Sequence, residues 1–407
     1  MAETLKPETA EQAGEAVAWA VAEETPLEIL GHGSKRGYGR PLQTPQVLDL
    51  SALTGVSLYE AEELVMSAGA GTPIAEMEVL LAEQNQAFAF EPPDLAPLWG
   101  GTAGSGSIGG VIACNLSGPR RIKAGAARDH FLGIEGVSGR GELFKSGGRV
   151  VKNVTGYDIC KLMAGSFGTL AAMTKVTVKV LPAAEKTRSV LLFGLDDATA
   201  LKAMTLAMQS PYEVSGAAHL PAWAAAKSEV GYVQKADGAV TALRVEGPGP
   251  SVVSRCAGLH KLLAGLGETE ELHSMNSANF WKEVRDAKPF LDTPDKAIWR
   301  LSTAPQQGPG LAARLAELPG ARWFFDWAGG LVWLAVEAGT EASAGEIRAA
   351  VAEAGGHATL LRASDAVRGA VGVFQPLDEA KAALTKRIKD SFDPRGVINR
   401  GRMYEGV

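Results

Sequence analysis

Residues 99–118 read W-G-G-T-A-G-S-G-S-I-G-G-V-I-A-C-N-L-S-G, from Trp99 to Gly118. Six of the first twelve are glycine: Gly100, Gly101, Gly104, Gly106, Gly109 and Gly110. Without a Cβ, backbone N–H groups can come close to an anion or a flat ring. The run Val111-Ile112-Ala113 that follows is not linker composition, because flexible linkers are polar. It points to a buried element that anchors a ligand-touching loop; a surface glycine loop with no ligand is the plainer alternative from these residues alone.

Gly104 to Gly109 also spells G-x-G-x-x-G. A dinucleotide fingerprint needs a strand before it and a helix opening at it. Here Pro92, Pro93 and Pro97 precede it and argue against a central strand. Gly118-Pro119 ends any helix shortly downstream. The Rossmann reading therefore fails on context.

Upstream, the apolar run Pro26 to Leu30 feeds into G-H-G-S-K-R-G-Y-G, residues 31–39. A strand followed by a Gly-rich loop with Ser and Lys is how a backbone cradles phosphate. The Gly-Lys-Ser/Thr of a Walker loop is absent. A hairpin-like turn with incidental charge accounts for this loop, taken alone, equally well.

The rest of the chain bounds the class. Its 407 residues suit two or three domains, and 46% hydrophobic content supplies large cores. A net charge of −6 argues against a nucleic-acid partner. Cys114, Cys160 and Cys256 form neither a disulfide framework nor a metal motif, which fits a reducing cytosol. No apolar run has the length of a membrane span, and no signal peptide is legible.

Helical spacing marks Ala10–Glu23, a helix opening at Thr72-Pro73, Asp196–Met208, Val252–Leu266 and Asp378–Phe392. Thr72 is expected to cap its helix. Strands are expected at Val47–Leu50, Glu60–Met66, Ala87–Phe90, Leu170–Val180 and Ser189–Gly194. Gly139-Arg140-Gly141 and Gly329-Gly330 read as turns between strand pairs, and Pro248-Gly249-Pro250 as a further turn. A domain boundary is placed at Leu181-Pro182.

Three segments in order now carry a resemblance: residues 31–39, residues 100–129, and Lys152-Asn153-Val154-Thr155-Gly156-Tyr157-Asp158 with Gly165-Ser166-Phe167-Gly168-Thr169-Leu170. Together they resemble the PCMH-type FAD domain of the vanillyl-alcohol-oxidase flavoproteins. The K-N-V-x-G-Y-D and N-L-S-G-P-R-R runs, and the ending Phe392-Asp393-Pro394-Arg395-Gly396-Val397-Ile398-Asn399, are similar to the FAD-binding subunits of bacterial glycolate oxidase, the GlcE family. Phe167 stands where the wider family often has Glu, Ala171 where it has Gly, and Arg400 where an Asn-Pro-Gly ending has Pro.

The resemblance implies an α+β fold. It would have a two-part FAD-binding domain over residues 1–182, an α+β cap over 183–370, and a C-terminal return segment, 371–407, packing on the FAD domain. It implies non-covalent FAD. Gly31, His32, Gly33, Ser34, Lys35, Gly37, Tyr38 and Gly39 would hold the diphosphate. Thr102, Gly104, Ser107, Ile108, Gly109 and Gly110 would line the phosphate and ribityl path. Ala113, Asn115, Ser117 and Gly118 would meet the isoalloxazine, with Arg128 and Asp129 closing that motif and Gly168, Thr169 and Leu170 along the adenine.

The implied activity is oxidation of glycolate to glyoxylate within a complex that includes a sister FAD subunit and an iron–sulfur subunit. The location is cytoplasmic, with any approach to the inner membrane made through those partners. A self-sufficient oxidoreductase of another small 2-hydroxy acid, or a scaffold subunit retaining the fold, would share these motifs. Substrate chemistry is far less legible. Arg is the natural carboxylate clamp, and Arg300 and Arg362 are the candidates, with an ordinary ion pair the plainer reading of each. The six histidines show no metal-ligand spacing, so no metal is expected.

Overall fold

The computed structural model of the chain describes residues 3–149 and 156–407. Lys152 to Thr155 of the K-N-V-T-G-Y-D run therefore lie outside the described residues. The chain divides into two compact units. The first comprises Met1–Ser117, Gly125–Ala183 and Gly372–Val407; the second comprises Gly118–Ala124 and Ala184–Val371. The short segment Gly118–Ala124, expected within the FAD domain, thus clusters with the second unit.

The first unit is built on two sheets of opposite character. A small parallel sheet has β1 (Glu3–Leu5) and β2 (Leu27–Leu30) on either side of β3 (Gln46–Asp49). An antiparallel sheet takes the order β4-β5-β9-β7-β8, from β4 (Val56–Glu60), β5 (Val65–Gly69), β7 (Phe131–Ser138), β8 (Leu143–Gly147) and β9 (Ala171–Lys179). β6 (Gln86–Ala87) pairs with β10 (Leu181–Pro182). Helix Ala10–Ala22 starts at Thr9, whose side chain accepts from Gln12 N. It buries Ala13, Val17 and Ala20 against Leu27, Leu48, Val137, Val397 and Ile398. Small residues on the helix let it approach β7, β8 and β9 of the antiparallel sheet closely, where a Gly14 Cβ would stand 3.4 Å from Gly141 O.

The return segment is woven into this unit rather than laid upon it. Leu27 N donates to Val397 O at 2.7 Å, and Asn399 N donates to Leu27 O at 3.0 Å. Asp393 supports the turn: its carboxylate accepts from Val397 N (2.9 Å) and Ile398 N (3.0 Å). Lys389, 1% exposed, donates to Asp393 Oδ2 and to the carbonyls of Thr169 and Ile398. A lysine is tolerated there because three acceptors surround it.

The second unit is an eight-stranded antiparallel sheet in the order β14-β11-β13-β12-β16-β17-β15-β18. Its strands are β11 (Lys186–Phe193), β12 (Gly216–Leu220), β13 (Val240–Gly247), β14 (Thr269–Leu272), β15 (Lys296–Ser302), β16 (Arg322–Asp326), β17 (Leu331–Glu337) and β18 (His357–Arg362). Helices Asp197–Gln209 and Gly249–Leu263 bury Ala200, Ala203, Met204, Val252, Cys256 and Leu259 against Val190, Leu192 and Leu243 of the sheet.

Some local expectations change. The strand expected over Glu60–Met66 is a hairpin: Leu64 N donates to Ala61 O, and Leu64 takes φ +56°. The strand over Ala87–Phe90 stops after Ala87, and Phe88 and Phe90 turn into the core. Thr72 does not cap its helix; its hydroxyl donates to Gly69 O at 2.7 Å, and helix Ile74–Glu83 starts without a side-chain cap. Pro248-Gly249-Pro250 opens a helix, since Pro fits a first helical turn whose N–H has no intrahelical acceptor.

Candidate flavin site

β2 ends at Leu30, and the Gly-rich loop begins at once. The loop, helix Ile108–Ala113, β9 and the return segment surround an open cleft of about 760 Å³ within the first unit. Of the residues expected at a cofactor, Gly31, His32, Gly33, Ser34, Lys35, Tyr38, Ser107, Gly109, Gly110, Ala113 and Gly168 line it.

The two Gly-rich segments do different work. In the first, the backbone N–H groups of His32, Gly33, Ser34 and Lys35 donate to no protein acceptor among the described residues. Gly33 takes φ +71°, the left-handed region that glycine enters without penalty. Successive N–H groups in such a turn form an anion-binding concavity. In the second segment several donors are already used. Gly104 N donates to Asp94, Ile108 N to Thr72 O, Gly109 N to Ala70 O and Gly110 N to the Ser107 hydroxyl. Gly109 is glycine for packing: a Cβ there would stand 2.7 Å from Ala70 O and 2.8 Å from Ala70 Cβ.

Lys35 joins the two segments. Its ammonium donates to Ser34 Oγ at 3.2 Å and lies 3.4 Å from where a Gly110 Cβ would be. Burial lowers its pKa from the usual lysine value, while Cys114 and Asp94 act the other way. Cys114 lines the same cleft. Burial pushes its thiol up to about 11, against the pull of Lys35 and Arg402, so it is a neutral wall group near neutral pH. His32 Nε2 donates to Gly71 O at 2.7 Å, which fixes its tautomer.

Two supports hold the loop from behind. Arg36 makes a paired contact with the buried Glu28 carboxylate. Arg402, from the return segment, donates to Lys35 O (3.1 Å), Arg36 O (3.0 Å) and Arg40 O (3.3 Å). Asn399 accepts from Ile29 N at 2.7 Å and donates to Phe167 O at 2.8 Å. Phe167, in the left-handed region at φ +55°, packs edge-on against Tyr38 and Phe374 with centroids 4.9 and 4.8 Å away. Glu28, Arg36, Cys114, Phe167, Asn399 and Arg402 all line the cleft, yet none stood among the expected cofactor residues. Asn399 lies in the quoted 392–399 ending, and Arg36, Cys114 and Phe167 lie inside the other quoted segments; Arg402 had no signal.

Other expected residues do not line the cleft. Gly37 lies against Trp99, where a Cβ would clash at 2.4 Å, and Gly39 lies against Arg402. Thr102 and Gly104 are exposed, whereas Ile108 and Leu170 are core. Asn115 and Ser117 accept from Arg128 N and Ala127 N at 2.9 Å each, and Asp129 accepts from Ala126 N at 2.8 Å. These bonds shape the turn after helix Ile108–Ala113. Thr169 turns its hydroxyl to Ser166 O. Gly118 belongs to the second unit, and its carbonyl accepts from Trp327 Nε1 at 3.1 Å.

Arg362 is not a carboxylate clamp. It is 7% exposed and its guanidinium donates to the carbonyls of Phe290, Thr293 and Lys296, holding the approach to β15. Arg300 is also in the second unit, stacked near Trp327 and Trp333. Among the described residues no group of three His, Cys, Asp or Glu could hold a metal ion, and no helix is long and apolar enough to cross a membrane.

The free N–H groups, the adjacent ammonium and the open cleft fit an anionic cofactor. Residues 2–147 match the family model described as an FAD binding domain. The chain is 34% identical to the glycolate oxidase subunit GlcE of Escherichia coli (strain K12), over 96% of both chains. The chain belongs to the GlcE family. It is 33% identical to the glycolate oxidase subunit GlcD of Bacillus subtilis (strain 168), over 33% of this chain and 27% of that one. Its fold is that of 4-ethylphenol oxidase from Gulosibacter chungangensis, at TM-score 0.74 and 14% identity, covering 99% of this chain and 89% of that one. The α+β, PCMH-type architecture and the FAD-linked oxidoreductase class thus stand on sequence and fold together.

Proposed function

We propose that the chain is the FAD-binding subunit of a glycolate-oxidising complex, and that it holds FAD non-covalently with the diphosphate on residues 32–35. The observation that carries this is the set of four adjacent backbone N–H groups without protein acceptors among the described residues, at the end of β2 and beside Lys35. A diphosphate there gains donors that cost no reorganisation, because Arg402 and the Arg36–Glu28 pair already fix the loop.

Bound flavin supplies a hydride acceptor for the 2-hydroxy acid. The residues do the rest. Gly31 to Lys35 bind the anion, Tyr38, Phe167 and Phe374 keep water from one side of the loop, and the small residues Gly110 and Ala113 leave width for a flat ring. Membership of a subunit family supports a multi-subunit assembly; in this proposal the partners are a sister FAD subunit and an iron–sulfur subunit that take the electrons onward, in the cytoplasm. The adenine and isoalloxazine contacts beyond the cleft-lining residues belong to this same proposal.

The deciding experiment has two parts. Purified chain should carry about one FAD. Glycolate-driven dye reduction should be far faster in the reconstituted complex than in the flavin-loaded chain alone. Absence of flavin would favour a scaffold subunit, and equal rates would favour a self-sufficient dehydrogenase.

A further inference from the structure

A second cluster of donors lies in the second unit, on one face of its large sheet. Arg300 on β15 stands opposite Trp333 on β17, and Ser302 stands opposite His357 on β18. Residues two apart on a strand share a face, and so do cross-strand partners. Arg300, Trp333 and His357 therefore share one face, with His357 on the diagonal from Arg300, about 7 Å along the sheet.

The Arg300 guanidinium lies 5.2 Å from the Trp327 ring centroid and 5.6 Å from that of Trp333. Arg121, from segment Gly118–Ala124, lies 4.5 Å from the Trp327 centroid. That segment is held by Arg120, which donates to both oxygens of Glu246 at 2.7 and 3.0 Å. Two donors in the cluster are buried and meet no acceptor among the described residues: Arg300 Nε and Trp333 Nε1. Trp333 is 4% exposed. Arg300 has no carboxylate partner among the described residues. Asp326, on the same face of β16, is buried and accepts from Trp327 N at 2.7 Å. Partial burial lowers the His357 pKa, and Arg300 and Arg121 lower it further, so its ring is neutral near pH 7.

We infer that Arg300 and His357, backed by Trp327 and Trp333, form a binding site for a small hydroxy carboxylate. A guanidinium packed over indole faces keeps its donor edge for a planar carboxylate. An unpaired buried N–H gains most from an acceptor brought by a ligand. A neutral imidazole on the diagonal accepts a hydrogen bond from a hydroxyl adjacent to that carboxylate. The anion site stands on these residues alone; the choice of a hydroxy acid rests on the proposed function.

The test is titration of the flavin-loaded chain with glycolate, acetate and glycolamide, read by tryptophan fluorescence and by the ligand-induced shift in melting temperature. FAD content is measured on the same samples. Glycolate should bind, acetate more weakly, and uncharged glycolamide not at all. Arg300→Gln should weaken glycolate at least about tenfold with FAD content unchanged. Arg300→Lys, which keeps the charge, should retain part of the affinity and controls for folding. His357→Gln should weaken glycolate more than acetate. Equal responses to glycolate and glycolamide, or an Arg300→Gln chain that binds glycolate like the parent, would overturn the site. Loss of FAD from the parent chain with glycolate binding intact would instead count against the flavin reading.

Discussion

Gly109 and Gly110 are neighbours in sequence, yet substitution should affect them through different parts of the structure. An alanine Cβ at Gly109 would sit 2.7 Å from Ala70 O and 2.8 Å from Ala70 Cβ. Ordinary contact begins near 3.4 Å, so helix Ile108–Ala113 must retreat by roughly 0.7 Å into a packed interior that resists such shifts. The retreat stretches Gly109 N to Ala70 O, now 2.9 Å, and Ile108 N to Thr72 O, now 3.0 Å. Overpacking costs about 1–3 kcal/mol, and the helix gains back up to about 1 kcal/mol on replacing glycine. With weakened hydrogen bonds included, the net loss is about 2 kcal/mol. At roughly 2–4 °C for each kcal/mol, Gly109→Ala should melt about 4–8 °C below the parent as apoprotein. At Gly110 the nearest atoms to a new Cβ are Lys35 Nζ and Ser107 Oγ, each 3.4 Å away, and the lysine tip can swing aside. Gly110→Ala should therefore melt at or slightly above the parent temperature. It should still weaken FAD, because its methyl group takes up space beside Lys35 at the cleft wall. Calorimetry of both apoproteins, with FAD titration by flavin fluorescence, checks this. Equal melting temperatures for the two variants would refute the division of the motif into a packing glycine and a cleft glycine.

Arg402→Met should leave the first unit folded but weaken FAD about tenfold or more, because three carbonyls that fix the 35–40 backbone lose a charged donor; flavin fluorescence titration measures it. Acid precipitation of the purified chain should release all FAD to the supernatant, and flavin in the pellet would contradict non-covalent binding. In the second unit, burial alone would raise the Glu246 pKa, but Arg244 and Arg120 pull it from 4.5 down to about 2. A carboxyl held below its unfolded value stabilises fully above pH 4.5 and loses that stabilisation as pH falls toward 2, a change of roughly 3 kcal/mol. The stability gap between the parent and Glu246→Gln, read by denaturant melts, should narrow across that window and stay constant above it.

Local order in the sequence determined much of this protein. The apolar stripe Ala13-Val17-Ala20, the strand–loop junction at Leu30-Gly31 and the hairpin around Gly139–Gly141 are decided by neighbours a few residues apart, so periodicity and turn chemistry expose them. The same holds for helix Glu379–Phe392, capped by Asp378 and ended before Pro394. Which glycines face a ligand was not decided there. Gly33 and Gly109 look alike in sequence; only the approach of Ala70, from another strand end, makes Gly109 a packing residue. Nor does anything near Arg402 or Asn399 announce that they brace a loop more than 350 residues earlier. Arg300 and Arg362 were equivalent candidates in the sequence. The fold surrounds Arg362 with backbone carbonyls and leaves Arg300 Nε without an acceptor. Hydrogen-bond pairing across distant segments fixes which donors remain for a ligand, and that pairing exists only once the chain has folded.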